Sequence, residues 1–239
     1  MNILKKLSLR KSSQEDLFIK RIRSLVIGEG MLHEGNIPLM EHAIKNLPPE
    51  GRVLEIGSYG GLSTNLIAYL LKKHGKTNPF FNVDAWIYEG FRDHLGIAEN
   101  HVDGRIDITR AQYSSYMKQS FIQATLFLSR ENLPHSFHLH SHDFFEKWKN
   151  NTTETDLFQR EVRLGGPIAF AYVDGGHSAE VALQDFLFVS EYLVNQGFIL
   201  WDDTSFMTER SPELMKRISS DRRFKVIQKH PNLLLQKTN

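Results

Sequence analysis

The chain has 239 residues, with 29 Lys and Arg against 28 Asp and Glu, and 41% of it is hydrophobic. That balance supports a sizeable core and gives no global charge pointing to nucleic acid or a membrane surface. Cysteine is absent, which excludes disulfides, thiolate zinc sites and cysteine nucleophiles and suits a cytoplasmic protein.

Along the chain, no apolar run approaches the length of a membrane span. Met1 to Ser13 sets Lys5, Lys6, Arg10 and Lys11 around Ile3, Leu4, Leu7 and Leu9. This is too short an apolar stretch for a signal peptide, and reads as a solvated terminus with a basic amphipathic anchor as the alternative. Asp16 to Leu25 and Ile37 to Leu47 show helical spacing, the second stopped by Pro48-Pro49. Residues 1–50 are therefore expected to form a helical segment packing on a domain that spans 51–239. Arg52 to Gly57 reads as a strand, Leu62 to Lys73 as a helix, and Phe80 to Asp84 as a second strand. Phe137 to His140 is the third strand and Ile168 to Val173 the fourth. Ser178 to Val194 is a helix capped by Ser178. Phe198 to Trp201 is the fifth strand, followed by a helix from about Ser211 to Ser219. Phe224 to Gln228 and Leu233 to Gln236 close the chain as an antiparallel hairpin.

Strands alternating with helices predict an α/β fold: a doubly wound, mainly parallel seven-stranded sheet with an antiparallel C-terminal strand. Its ligands should bind at the C-terminal strand edge. The stretch 86–134 is longer than a crossover needs and contains a helical pattern from Tyr113 to Leu128. We read it as a helical insertion capping that edge; a plain crossover helix with a long loop is the alternative.

Two strand ends carry chemistry. Tyr172-Val173-Asp174-Gly175-Gly176-His177 and Phe198-Ile199-Leu200-Trp201-Asp202-Asp203 both break from apolar runs into carboxylates. If the strands are parallel neighbours, Asp174, Asp202 and Asp203 converge with His177 close by. Such a crowd is costly without a positive charge, which points to a metal and a general base. Turn capping by Asp202-Asp203, and a structural role for His177 at its helix start, are the plainer readings.

A third feature is the turn Glu55-Ile56-Gly57-Ser58-Tyr59-Gly60-Gly61-Leu62-Ser63-Thr64, which follows a strand and opens a helix. Its partner is Asp84 at the end of the second strand, either a ribose ligand or a strand-end cap. A dinucleotide would call for G-x-G-x-x-G. Here the pattern is Gly57-x-x-Gly60-Gly61, with Glu55 nearby, which suits a ligand bearing an amino group and a sulfonium, such as S-adenosylmethionine. The turn with Asp84 resembles motifs one and two of the class I S-adenosylmethionine-dependent methyltransferases. The segments Phe170 to Ser178 and Gly197 to Asp203 are similar to the branch containing metal-dependent sugar O-methyltransferases and cephalosporin-hydroxylase-like proteins.

That resemblance implies a cofactor set of Glu55, Gly57, Ser58, Tyr59, Gly60 and Ser63, with Asp84 on the ribose and Asp143 beside the adenine. The other reading of Asp143 is an N-cap for a helix near Phe144. It implies Asp174, Asp202 and Asp203 as ligands of a divalent cation, Mg²⁺ foremost, and His177 as the base. It also implies O-methylation of a small hydroxylated acceptor such as a sugar or glycosylated metabolite, with no nucleic acid and homo-oligomer formation left open. Metal-independent methyl transfer, an oxidoreductase-like activity and a non-catalytic S-adenosylmethionine-binding module are the alternatives. Finally, His138, His140 and His142 alternate as on one strand face; with His135 they suggest a second metal site, or imidazoles on a partly wet edge strand. Trp86 and Tyr88 read as pocket walls or as ordinary packing.

Overall fold

The computed structural model describes residues 32–87, 110–176 and 178–238. The expected helix from Asp16 to Leu25, Tyr88, the first part of the insertion and His177 lie outside them.

In chain order the elements are α1 (Asn36–Lys45), β1 (Arg52–Ile56), α2 (Leu62–Lys73), β2 (Phe80–Asp84), α3 (Arg110–Leu128), β3 (His135–His138) and α4 (Ser141–Lys149). There follow β4 (Thr153–Thr155), β5 (Glu161–Arg163), β6 (Ile168–Val173), α5 (Ala179–Tyr192) and β7 (Leu193–Trp201). The chain ends with α6 (Thr204–Arg210), α7 (Pro212–Ser219), β8 (Phe224–Gln228) and β9 (Leu233–Lys237). Seven strands form one sheet in the order β3-β2-β1-β6-β7-β9-β8. All neighbours from β3 to β7 pair in parallel, and β9 runs antiparallel to both β7 and β8.

Side-chain alternation along these strands makes the two cores. Leu54, Ile56, Ile199 and Trp201 face Phe144, Phe145 and Trp148 of α4 and Ala182, Phe186 and Val189 of α5. Val53, Tyr172, Phe198 and Leu200 face Leu39, Met40 and Ile44 of α1 and Leu62, Leu66 and Leu70 of α2. The sheet is thus covered on both faces, and its parallel strand ends gather on one edge. Among the described residues no helix is long and apolar enough to cross a membrane.

Several boundaries differ from the sequence reading. Strand β3 stops at His138 because His140 already serves as the N-cap residue of α4, its carbonyl accepting from Phe144 N. The histidines therefore do not share a strand face: His138 ends β3, His140 caps α4 and His142 lies in its first turn. Asp143 is likewise inside the helix rather than capping it. Asn65 of α2 holds the far end of α3, where Ser129 Oγ donates to Asn65 Oδ1 at 2.6 Å. Helix α6 was not expected; it starts one residue after Asp203, and Pro212 at the first position of α7 separates the two helices. The β4–β5 hairpin was also unforeseen, its strands of three residues being too short to leave a pattern.

Candidate active site

The sheet edge is assembled by extending the parallel ladder past the strands. Gly57 N donates to Val83 O at 2.9 Å, Asp174 N to Ile56 O at 2.8 Å and Asp202 N to Val173 O at 2.9 Å. Three chain reversals are thereby stacked side by side. Gly57 has φ +87°, and a Cβ built on it would lie 1.9 Å from the carbonyl oxygen of Asp174. Only glycine permits that close approach, so the glycine turn and the carboxylate loop touch directly.

The turn itself is clamped by Asp84. Its Oδ2 accepts from Ser58 N at 2.7 Å and Tyr59 N at 2.8 Å, and its Oδ1 accepts from Trp86 N at 2.5 Å. The strand-end cap is what the geometry displays, with the carboxylate still half-exposed. The Trp86 indole donates to Tyr59 O at 2.8 Å and packs with Met117 and Phe121 of α3. Tyr113 of α3 also reaches the turn, its hydroxyl hydrogen-bonding that of Tyr59. Helix α3 thus walls the turn along this side. Gly61, with φ +95°, opens α2.

Glu55 lies behind the turn and is fully buried. Its Oε2 accepts from Thr64 Oγ1 at 2.5 Å and from Ser58 Oγ and Asn82 Nδ2, both at 3.4 Å, while its Oε1 is buried without a partner. Burial pushes its carboxyl up to about 7, against the lowering pull of Ser63, Thr64 and Asn82. Asp185 on α5, set against Gly175, is pushed up to about 7 by its own burial. A carboxyl whose folded pKa exceeds its unfolded value keeps its proton in the folded state while the unfolded state has lost it. Stability from Glu55 therefore falls as pH rises from about 4.5 to about 7, by about 3 kcal/mol. Glu55→Gln should lack that loss: its stability relative to the parent, read by urea unfolding, should grow by about 3 kcal/mol between pH 4.5 and 8. A difference that stays flat with pH would show that folding leaves the Glu55 carboxyl unshifted.

The structure brings Asp174 and Asp202 together, as expected from their parallel neighbouring strands, but through a residue the sequence reading passed over. Tyr172 OH donates to Asp202 Oδ2 and lies 3.3 Å from Asp174 Oδ2. Residues two apart share a strand face, so the placement of Tyr172 beside Asp174 was readable in the sequence. The Asp202 Oδ1 accepts from Asn232 Nδ2 and from Asp203 N, the latter at 2.8 Å. Asp203 has φ +49° and is exposed. Asp174 is held well above the usual carboxylate range, first by burial and then by the charges of Asp202, Asp203 and Glu55. The same burial and the charges of Asp174 and Asp202 raise the Tyr172 phenol, which stays a neutral donor. A small hollow, open to solvent, lies here against Asp174, Gly175, Gly176, Trp201, Asp202 and Met207.

Carboxylate oxygens such as those of Asp174 and Asp202 are the donor type that a hard divalent cation takes. Among the described residues no group of three or more His, Asp or Glu is placed to share an ion, so Asp203 is not drawn into a common set with Asp174 and Asp202. The second histidine group is also apart. His138 Nε2 lies 3.1 Å from Ala85 O, and His142 Nε2 pairs with Asp143 Oδ1 at 3.0 Å on the exposed start of α4.

A seven-stranded sheet of this order, with an antiparallel penultimate strand and a glycine turn beside β2's acid, defines a class I methyltransferase fold. Residues 54–204 match the family described as methyltransferase domain, and the chain belongs to it: the protein is a methyltransferase. A comparison with curated proteins finds no match. Among solved structures, the O-methyltransferase TomG from Streptomyces achromogenes, in complex with S-adenosylmethionine, is 12% identical with a TM-score of 0.55, covering 95% of this chain and 92% of its own. An O-methyltransferase from Bacillus cereus in complex with S-adenosylhomocysteine is 10% identical with a TM-score of 0.54, covering 96% and 94%. An rRNA methylase from Streptococcus thermophilus is 16% identical with a TM-score of 0.50, covering 88% and 100%. The same fold thus serves small-molecule and RNA methylation, and fold alone does not select the acceptor.

Proposed function

We propose that the protein is an S-adenosylmethionine-dependent O-methyltransferase acting on a small hydroxylated acceptor such as a sugar or glycosylated metabolite, assisted by a divalent cation. The observation that carries this reading is the contact between the glycine turn and the carboxylate loop, where Gly57 has room for no Cβ against the Asp174 carbonyl. A methyl donor along the turn and an acceptor over Asp174 and Asp202 would then be neighbours.

In this reading Gly57, Ser58, Tyr59, Gly60 and Ser63 line the donor, with Glu55 fixing the turn from behind. Asp84 faces the ribose with the lone pairs its backbone donors leave free, and Asp143 stands beside the adenine. The donor supplies a methyl group on a sulfonium, and a bound cation lowers the pKa of an acceptor hydroxyl. Asp174 and Asp202, with Asp203 beside them, orient that hydroxyl and compensate the cation's charge. His177, directly before the Ser178 cap of α5, takes the hydroxyl proton. The oxygen lone pair forms the new C–O bond as the C–S bond breaks, and sulfur leaves as a neutral thioether.

One observation favours a second reading, metal-independent transfer: both oxygens of Asp202 are already engaged by Tyr172, Asn232 and the Asp203 amide. Calorimetry with S-adenosylmethionine, with and without Mg²⁺, followed by an acceptor screen over glycosides and catechols, tests both. Heat with the donor that changes with Mg²⁺, and turnover that a chelator stops, are the expected results. Undiminished turnover in chelator selects the second reading. Donor binding with no acceptor turned over would indicate a binding module, and no heat under either condition would overturn the proposal.

A further inference from the structure

Asp202 is held on the side away from Tyr172 by a residue at the opposite end of the sequence from the glycine turn. Asn232 sits in the turn before β9, one position ahead of Leu233, which pairs with Trp201 in register. Its Oδ1 accepts from Thr204 N and from Thr204 Oγ1, both at 3.1 Å. A backbone N–H can only donate, so this fixes which way the amide points. The two hydrogens on Nδ2 must then face the other way. There one meets Asp202 Oδ1 and the other meets Asn36 Oδ1, the latter at 2.9 Å. Asn36, Asn232, Asp202 and Thr204 are all buried. All four hydrogen-bonding capacities of the Asn232 amide are used, and none faces water.

Asn36 is the first residue of α1, and the approach there is tight. A Cβ built on Gly35 would lie 2.4 Å from Pro231 Cγ. The start of α1 and the turn that carries Asn232 are therefore one joint, with Asp202 on its inner side. Among the described residues the Nδ2 of Asn36 has no partner. The Asn36 side chain is thus held, among those residues, by its one bond to Asn232.

We propose that Asn232 is a positioning residue for the site carboxylate Asp202, and that through Asn36 it couples the site to helix α1. The carboxylate is clamped at three points: by Tyr172 from within its own sheet, by the neighbouring Asp203 amide, and by Asn232 from the C-terminal turn. Where the chain enters α1, a shift of Asn36 would reach Asp202 through one amide.

Two arms test this, and only the second rests on the function proposed above. In thermal unfolding, Asn36→Ala and Asp202→Ala both act through the Asn232 amide. Their combined drop in Tm should differ from the sum of the single drops by about 2 °C or more. Asn36→Ala with Ser178→Ala, which shares no partner with it, should add. Additive behaviour of the first pair would overturn the coupling whatever the protein binds. In the second arm, Mn²⁺ is titrated in the presence of S-adenosylmethionine and followed by water proton relaxation. Asn232→Ala should loosen Mn²⁺ about tenfold, as loss of an outer-shell partner does, with donor affinity within about twofold of the parent. Asn232→Ser, which keeps one donor and one acceptor, should fall between. Parent-like Mn²⁺ affinity in Asn232→Ala would overturn the positioning role. A parent that takes up no Mn²⁺ would instead count against the metal reading, and the thermal arm would decide the coupling.

Discussion

Asp202→Asn should abolish metal-stimulated turnover, by about a hundredfold or more, while S-adenosylmethionine affinity stays within about twofold. The substitution is shaped to leave the fold alone. An asparagine oxygen in the place of Oδ1 can still accept from Asn232 Nδ2 and Asp203 N. Its Nδ2 would face Tyr172 OH, whose proton can turn to Asp174 Oδ2, 3.3 Å away. What is lost is the charge, and with it the attraction for a cation and for an acceptor hydroxyl that is losing its proton. The glycine turn and Asp84 make no hydrogen bond to Asp202, so donor binding should persist. Acceptor turnover in the variant, with and without Mg²⁺, is the measurement. Turnover equal to the parent's would remove Asp202 from the mechanism; donor binding lost in parallel would mean the edge had collapsed instead.

Gly57→Ala is the second large effect, and it acts on the fold and the donor site together. The new methyl would need the space of the Asp174 carbonyl, 1.9 Å away, at a φ of +87° that side chains rarely adopt. Neither partner can yield cheaply, because Gly57 N and Asp174 N both hold neighbouring strands through hydrogen bonds. A loss of about 4 kcal/mol or more is expected, with donor binding abolished in whatever folds. Gly75→Ala is the matched control: φ is +61° but nothing lies within 4 Å of the added Cβ. It should cost only about 1–2 kcal/mol, the strain of the left-handed backbone alone. Urea unfolding and donor calorimetry on both variants separate backbone strain from the clash. Similar losses at the two positions would show that the contact between the glycine turn and the Asp174 loop is not rigid.

The parts of this site that were legible in the sequence are those whose signal is local. β1, β2 and β6 read as apolar segments running into a glycine or a carboxylate; the bounds of β2 and β6 agree with the structure, and β1 stops at Ile56, one residue short of the expected end at Gly57. Tyr113 to Leu128 was legible as a helix because Met117, Phe121 and Ala124 recur at helical spacing and are the apolar residues it buries. The histidines misled because alternation was taken for a strand that had already ended; the N-cap at His140 carries no sequence mark, its side chain making no cap hydrogen bond. Helix α6 escaped notice because it follows a carboxylate in a left-handed conformation rather than a recognisable cap.

The two acidic strand ends show where sequence stops and tertiary structure begins. By itself the sequence determined that β6 and β7 end in Asp174 and Asp202, that a glycine turn follows β1, and that parallel pairing would put them on one edge. These follow from period-two alternation and from parallel strands sharing a direction. Only the tertiary structure decided how the carboxylates are held: Tyr172 between them, Asn232 and Asn36 behind Asp202, and Asp203 turned outward. The reason is physical. A hydrogen bond between Asn36 and Asn232 joins residues 196 apart in sequence, and an amide far along the chain carries no local signal of the carboxylate it will meet.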